Sequence, residues 1–117
     1  MKVKRMALIF VACLLTGTTY GQDLTPFRVK GKSGFKDAKG NVVIEAKFGM
    51  VNNFSEGLAA VSPKMGGKWG YIDQTGEIVI PVKYKLAGPF SNGLAKVILK
   101  KKFIFIDKTG KQVDTEK

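Results

Sequence analysis

Residues 70–97 read GYIDQTGEIVIPVKYKLAGPFSNGLAKV, and residues 34–61 read GFKDAKGNVVIEAKFGMVNNFSEGLAAV. Laid over one another at an offset of 36, without a gap, they share twelve of 28 positions. Among these are Gly34/Gly70, Asp37/Asp73, Gly40/Gly76, Ile44/Ile80, Lys47/Lys83, Phe54/Phe90, Gly57/Gly93 and Val61/Val97. At Phe35/Tyr71 and Phe48/Tyr84 one aromatic replaces another. A third, partial copy, IFIDKTGKQV at 104–113, repeats the Asp-x-x-Gly step at an offset of 34, the link before it being two residues shorter. Self-similarity at a period of this size marks a repeat architecture, in which each unit buries its apolar face against a neighbour.

Within a unit the pattern is that of an antiparallel β-meander. GLAAVS and GLAKVILK read as first strands, KWGYID and FIFID as second strands, and NVVIEA and EIVIPV as third strands, each rich in aromatic or β-branched residues. The tetrapeptides DAKG, DQTG and DKTG place Asp at the first turn position, where its carboxylate accepts backbone N–H bonds. Gly follows three later, where a left-handed conformation costs it little. Pro63 with Gly66 and Gly67 marks one connection between first and second strands, and Lys100 to Lys102 fill the equivalent hairpin tip in the next unit. No stretch after the leader repeats its apolar residues at a helical spacing. The expected fold is therefore all-β, with about two and a half units.

KWGYIDQTGEIVIP, followed by KY and then GPFSNGLAKV, resembles the WG repeat, a unit of about 35 residues named for its Trp-Gly pair. The resemblance covers residues 34 to 113, with copies at about 34–69 and 70–103 and a partial one at 104–117. Ser33-Gly34 and Phe103-Ile104 stand where the pair belongs in the outer copies, so Trp69-Gly70 is its one intact example. For function the resemblance implies an extended binding or scaffolding surface without a common activity. Because position 70 is Ile in the third copy, the glycine is expected to matter for its missing side chain and not for a special backbone angle. Trp69 is then expected to brace the sheet.

The chain has 117 residues with 20 Lys plus Arg against 9 Asp plus Glu, one cysteine and no histidine. That removes most proton-transfer and metal-ligating side chains. A basic start, MKVKR, an apolar run from Met6 to Leu15 and a small polar stretch ending at Gly21 form the three-part layout of a secretory signal peptide. The expected boundary is 1–21, with cleavage between Gly21 and Gln22 and a β domain over 22–117. Cys13 in FVAC offers a rival, a lipoprotein cysteine, although Leu14 and Leu15 continue the apolar run past it. Removing 1–21 takes away Lys2, Lys4 and Arg5 and no acid, so 17 bases face 9 acids, a net charge of +8. The remainder holds no cysteine and no disulfide, in an extracytoplasmic setting, periplasmic or extracellular.

No constellation for catalysis emerges. Asp37, Asp73 and Asp107 stand one per turn, too far apart in pattern for a calcium loop or a paired-carboxylate hydrolase. Neither a Ser-His nor a Cys-His pair exists after the leader, and phosphate-cradling glycine motifs are missing. The expectation is a non-enzymatic module without cofactor or metal. Candidate partner contacts are Trp69, Tyr71 and Tyr84 with Lys100, Lys101 and Lys102. A protein partner comes first, with an anionic envelope polymer or lipid surface second and self-association through open sheet edges as a further alternative. Nucleic acid is not expected, since export removes it and no binding signature is present.

Overall fold

The three Asp-x-x-Gly steps fold as tight turns, and the strands follow from them. In the computed structural model, which describes residues 23–114, Asp37, Asp73 and Asp107 each open a turn. The amide of Gly40, Gly76 or Gly110 donates to the carbonyl of its aspartate at 2.9–3.0 Å, and each glycine has φ near +90°. This is a type I turn followed by a left-handed residue, which joins two antiparallel strands. The leader expected at 1–21, Cys13, the Gly21–Gln22 junction and the tail at 115–117 lie outside the described residues.

Eleven strands are described: β1 Thr25–Val29, β2 Lys32–Lys36, β3 Val42–Phe48, β4 Met50–Val51, β5 Ala59–Ser62, β6 Trp69–Ile72, β7 Ile78–Tyr84, β8 Leu86–Ala87, β9 Leu94–Leu99, β10 Lys102–Asp107 and β11 Gln112–Val113. They form three antiparallel sheets in meander order, β1-β2-β3, β4-β5-β6-β7 and β8-β9-β10-β11. One residue, Gly49 or Lys85, separates the last strand of one sheet from the first of the next. The all-β meander expected from the repeat is therefore present, with one addition. Lys30-Gly31 closes a two-residue hairpin from β1 to β2, so the first unit is a full sheet, where the repeat alone gave two units and a half.

The sheets face one another with a core in each gap. Phe35, Ile44 and Phe48 of the first sheet meet Ala59, Val61 and Ile72 of the second. From the opposite face of that second sheet, Ala60, Trp69, Tyr71, Ile80 and Tyr84 meet Ala87, Ala95, Val97 and Ile106 of the third. Period-2 alternation explains the division, since adjacent residues such as Ala59 and Ala60 point to opposite faces. Every residue of β5 and β6 is buried, as a sheet covered on both sides requires.

A bulge decides where glycine is needed. Trp69 pairs with Tyr84 and Tyr71 with Ile80, so two steps along β6 answer to four along β7. The surplus of β7 folds over Gly70, where an added Cβ would lie 2.6 Å from the Ile80 carbonyl oxygen and 2.9 Å from the Pro81 carbonyl carbon. Gly34 stands in the same position under β3, against the carbonyl of Ile44. Among the described residues β11 pairs with Phe105 and Ile106, and Ile104 packs partly buried against the second core. The glycine of the Trp-Gly pair is thus there to let a bulged strand pass.

Candidate interaction surface

The units are tied together by contacts that run one repeat length along the chain. Asp37 Oδ1 accepts from the amides of Lys39 and Asn41, both at 2.9 Å. Asp73 Oδ1 accepts from Thr75 and Glu77, and Asp107 Oδ1 from Thr109 and Lys111. These bonds hold the carboxyls of Asp37 and Asp107 below the usual range, the Asn41 amide leading for the first and the Thr109 hydroxyl for the second. They cap turns, and among the described residues no three of His, Cys, Asp or Glu gather as a metal site requires. Glu56 does something the sequence reading missed. Its carboxylate reaches 36 residues on and accepts the amides of Asn92 at 2.7 Å and Gly93 at 2.9 Å, with Lys108 Nζ 3.6 Å away. The Gly93 bond is the main cause that holds the Glu56 carboxyl low. Both Glu56-Gly57 and Asn92-Gly93 have positive φ, a pairing that turns two successive amides to the same side and makes a seat for an anion. Beside it, the Ser55 hydroxyl donates to the Phe90 carbonyl at 2.7 Å.

The aromatic contact candidates are interior groups. Tyr71 and Tyr84 are 0% and 1% exposed and Trp69 is 9% exposed. The Tyr71 hydroxyl donates to the Gly88 carbonyl at 2.7 Å, its ring meets Phe90 edge-on with centroids 5.0 Å apart, and Phe35 meets Phe54 at 4.7 Å in the same arrangement. Burial raises both tyrosine hydroxyls above their ordinary range, Tyr71 the more strongly. Within this chain, Tyr71 and Tyr84 have no surface left for a partner to touch. The reason is the third sheet, which covers the face that they share with Trp69.

Lys100, Lys101 and Lys102 are exposed at the β9–β10 hairpin, as the sequence suggested. Lys100 and Lys101 both hold positive φ, 52° and 68°, the geometry of a two-residue turn that Asn-Gly adopts more cheaply. Next to them lies the outward face of the third sheet. Phe103 pairs with Ile98 and Phe105 with Lys96, and Leu86 pairs with Ile98 on the far side. Phe103 is 67% and Leu86 53% exposed. The Lys96 ammonium lies 5.1 Å from the centre of the Phe103 ring and 5.9 Å from that of Phe105. One repeat back, this face carries Ala60, Trp69 and Tyr71 and is buried. The repeat offset was the available signal, because it sets Lys96 opposite Ala60 and Phe103 opposite Trp69.

A model of the family described as WG containing repeat matches residues 34–69 and 69–103. A search of curated proteins and a search of solved structures found no match.

Proposed function

Because the chain belongs to the family of WG containing repeats, we propose that it is an exported, non-catalytic protein-binding module that uses the outward face of its third sheet. The observation that carries this reading is Phe103. It occupies the position where Trp69 is covered by a further sheet, yet it stands 67% exposed beside Phe105, Leu86 and a cluster of lysines. A large apolar group rimmed by charge is the usual composition of a contact surface. The strained Lys100-Lys101 turn supports the same surface, since backbone strain kept on charged residues points to a role for the charge. The matching partner offers an apolar strand or sheet face with a carboxylate for Lys96. Export rests on the three-part layout of residues 1–21.

Sheet edges serve this purpose less well. β4, β8 and β11 are two residues long, β3 and β7 are bulged, and β1 and β7 carry Pro26 and Pro81. Short, bulged and proline-bearing edges discourage strand addition. The experiment is capture from the native envelope with the wild-type chain and with Phe103→Asp, checking that both melt alike. A protein retained by the first and lost by the second is the expected outcome, whereas equal retention moves the contact elsewhere. The lysine hairpin favours one second reading, an anionic envelope polymer. Its mark is binding that Lys100→Glu/Lys101→Glu/Lys102→Glu abolishes and salt weakens, while Phe103→Asp leaves it intact.

A further inference from the structure

The joint between the first and second sheets lacks the tryptophan of the joint between the second and third. Ser33 pairs with Phe48 as Trp69 pairs with Tyr84, and Phe35 with Ile44 as Tyr71 with Ile80, so Ser33 and Trp69 hold the same place in successive sheets. Around them the two cores correspond, Phe35, Phe48 and Val51 of the first standing where the second has Tyr71, Tyr84 and Ala87. A serine in place of an indole leaves space that its neighbours do not close. An open cavity of about 250 Å³ lies there, lined by Ser33 of β2, by Pro26, Phe27 and Arg28 of β1, and by Met50 and Val51 of β4. Pockets for drug-sized ligands run to about 300–1,000 Å³. This one suits a single aromatic ring system with a short polar arm.

The polar part of the lining is a cation held in place. Arg28 Nη1 donates to Ser33 Oγ at 3.0 Å and to the Gly49 carbonyl at 3.2 Å, and Nη2 donates to the Gly31 carbonyl at 3.2 Å. Three of the guanidinium's five N–H groups are thereby engaged, each by a neutral oxygen, and two are left over. Among the described residues no carboxylate forms an ion pair with Arg28. A fixed guanidinium beside an apolar recess is suited to an anion with an apolar body, since arginine both forks a carboxylate and stacks on an aromatic face. We infer that the cavity at Ser33 is a binding site for a small aromatic carboxylate, its ring in the place that the Trp69 indole takes one unit on and its carboxylate on Arg28. The repeat sets the choice of ring, because the same backbone accommodates an indole in the next copy. This goes beyond the partner surface proposed above, which lies on the outward face of the third sheet, and neither depends on the other.

Indoleacetate is the probe, titrated into the isotope-labelled chain and followed by amide chemical shifts, with indole and acetate as its two halves. The expected outcome is saturable shifts at Phe27, Arg28, Ser33 and Met50, with indole and acetate each at least about tenfold weaker. Arg28→Gln should weaken indoleacetate by about tenfold, to the level of indole, because it removes the charged donor and leaves the recess. Ser33→Trp combined with Val51→Ala installs the residues of the next joint and should abolish the shifts by filling the space. Ser33→Ala keeps the space open and should keep the binding, and Phe103→Asp should leave it unchanged. Circular dichroism checks that each chain is folded. A folded wild type without saturable shifts at these amides overturns the inference, and so does acetate that binds as tightly as indoleacetate, which would be a charge contact alone. Loss of binding in folded Ser33→Ala also overturns it, since the hydroxyl and not the space would then hold the ligand. If the tryptophan variant does not fold, Arg28→Gln decides, and undiminished binding there overturns the assignment.

Discussion

At the scale of single residues, the question set by a lone tryptophan is answered by what lies on either side of it. Trp69 faces the third sheet, and Gly70 faces the other way beneath a bulge. Trp69→Ala therefore removes a core ring, and we expect a loss of about 3–5 kcal/mol in chemical denaturation. Tyr71→Phe isolates one hydrogen bond, because Phe35 and Phe105 show that the site accepts the ring without the hydroxyl. The Gly88 carbonyl loses its donor, and we expect a cost of about 1 kcal/mol in the same measurement. The turn glycines separate backbone strain from packing. At Gly40 an added Cβ meets nothing within 4 Å, whereas at Gly76 it lies 3.3 Å from Ile44 Cγ2 of the preceding unit. Both have φ near +90°. Gly40→Ala is expected to cost about 1 kcal/mol, the left-handed penalty alone, and Gly76→Ala to lower the melting temperature further. Equal effects would show that the turn does not press on its neighbour.

At the scale of elements, the hairpins carry a stabilising change that the sequence leaves unused. Replacing Lys100-Lys101 by Asn-Gly keeps the two-residue turn and relieves two left-handed lysines, so a gain of about 0.5–1 kcal/mol is expected in thermal melts. A loss would mean that the lysine stems pack more than their exposure suggests. This scale also marks how far the sequence could be read. The Asp-x-x-Gly turns, the third strands and the hairpin at Lys100 were legible because turn chemistry is local and each is written two or three times. β1 was not, since Pro26 and Arg28 interrupt its alternation and no second copy of it precedes the repeat. The two-residue strands β4 and β8 carry too few residues to show a period. The bulges in β3 and β7 escaped because both copies hold the same surplus residues, so that alignment alone sees no insertion. Glu56 was invisible for a different reason, its partners lying a whole repeat away. Of the contact candidates, the three lysines were placed on the surface and the three aromatics in the core. A repeat period tells which residues correspond, but not which copy will lack a neighbour to cover it.

At the scale of the molecule, two cores share one central sheet, and the chain's stability is distributed accordingly. Glu56 couples the second unit to the third by a charge that depends on pH. Its carboxyl is held low in the folded state, so its contribution is complete above the ordinary glutamate value of about 4.3 and is lost as pH falls towards the lowered folded one. Glu56→Gln should therefore melt below the wild type at neutral pH, with the difference closing as the solution is acidified through that window. Hydrogen exchange carries the argument across all three sheets. β5 and β6 are buried on both faces, whereas β1 and β11 are edge strands of sheets that, among the described residues, are covered on one face. In a stack held by nearest-neighbour contacts the ends open before the middle. Amides of Val61, Tyr71 and Ile72 are accordingly expected to exchange last, at the rate of global unfolding. Those of Phe27 and Val113 should exchange earlier, by openings that leave the central sheet intact. Added denaturant should bring the groups together only near the unfolding midpoint. Uniform protection from β1 to β11 would instead mean that the two cores melt as one, with the middle sheet transmitting the loss of either face to the other.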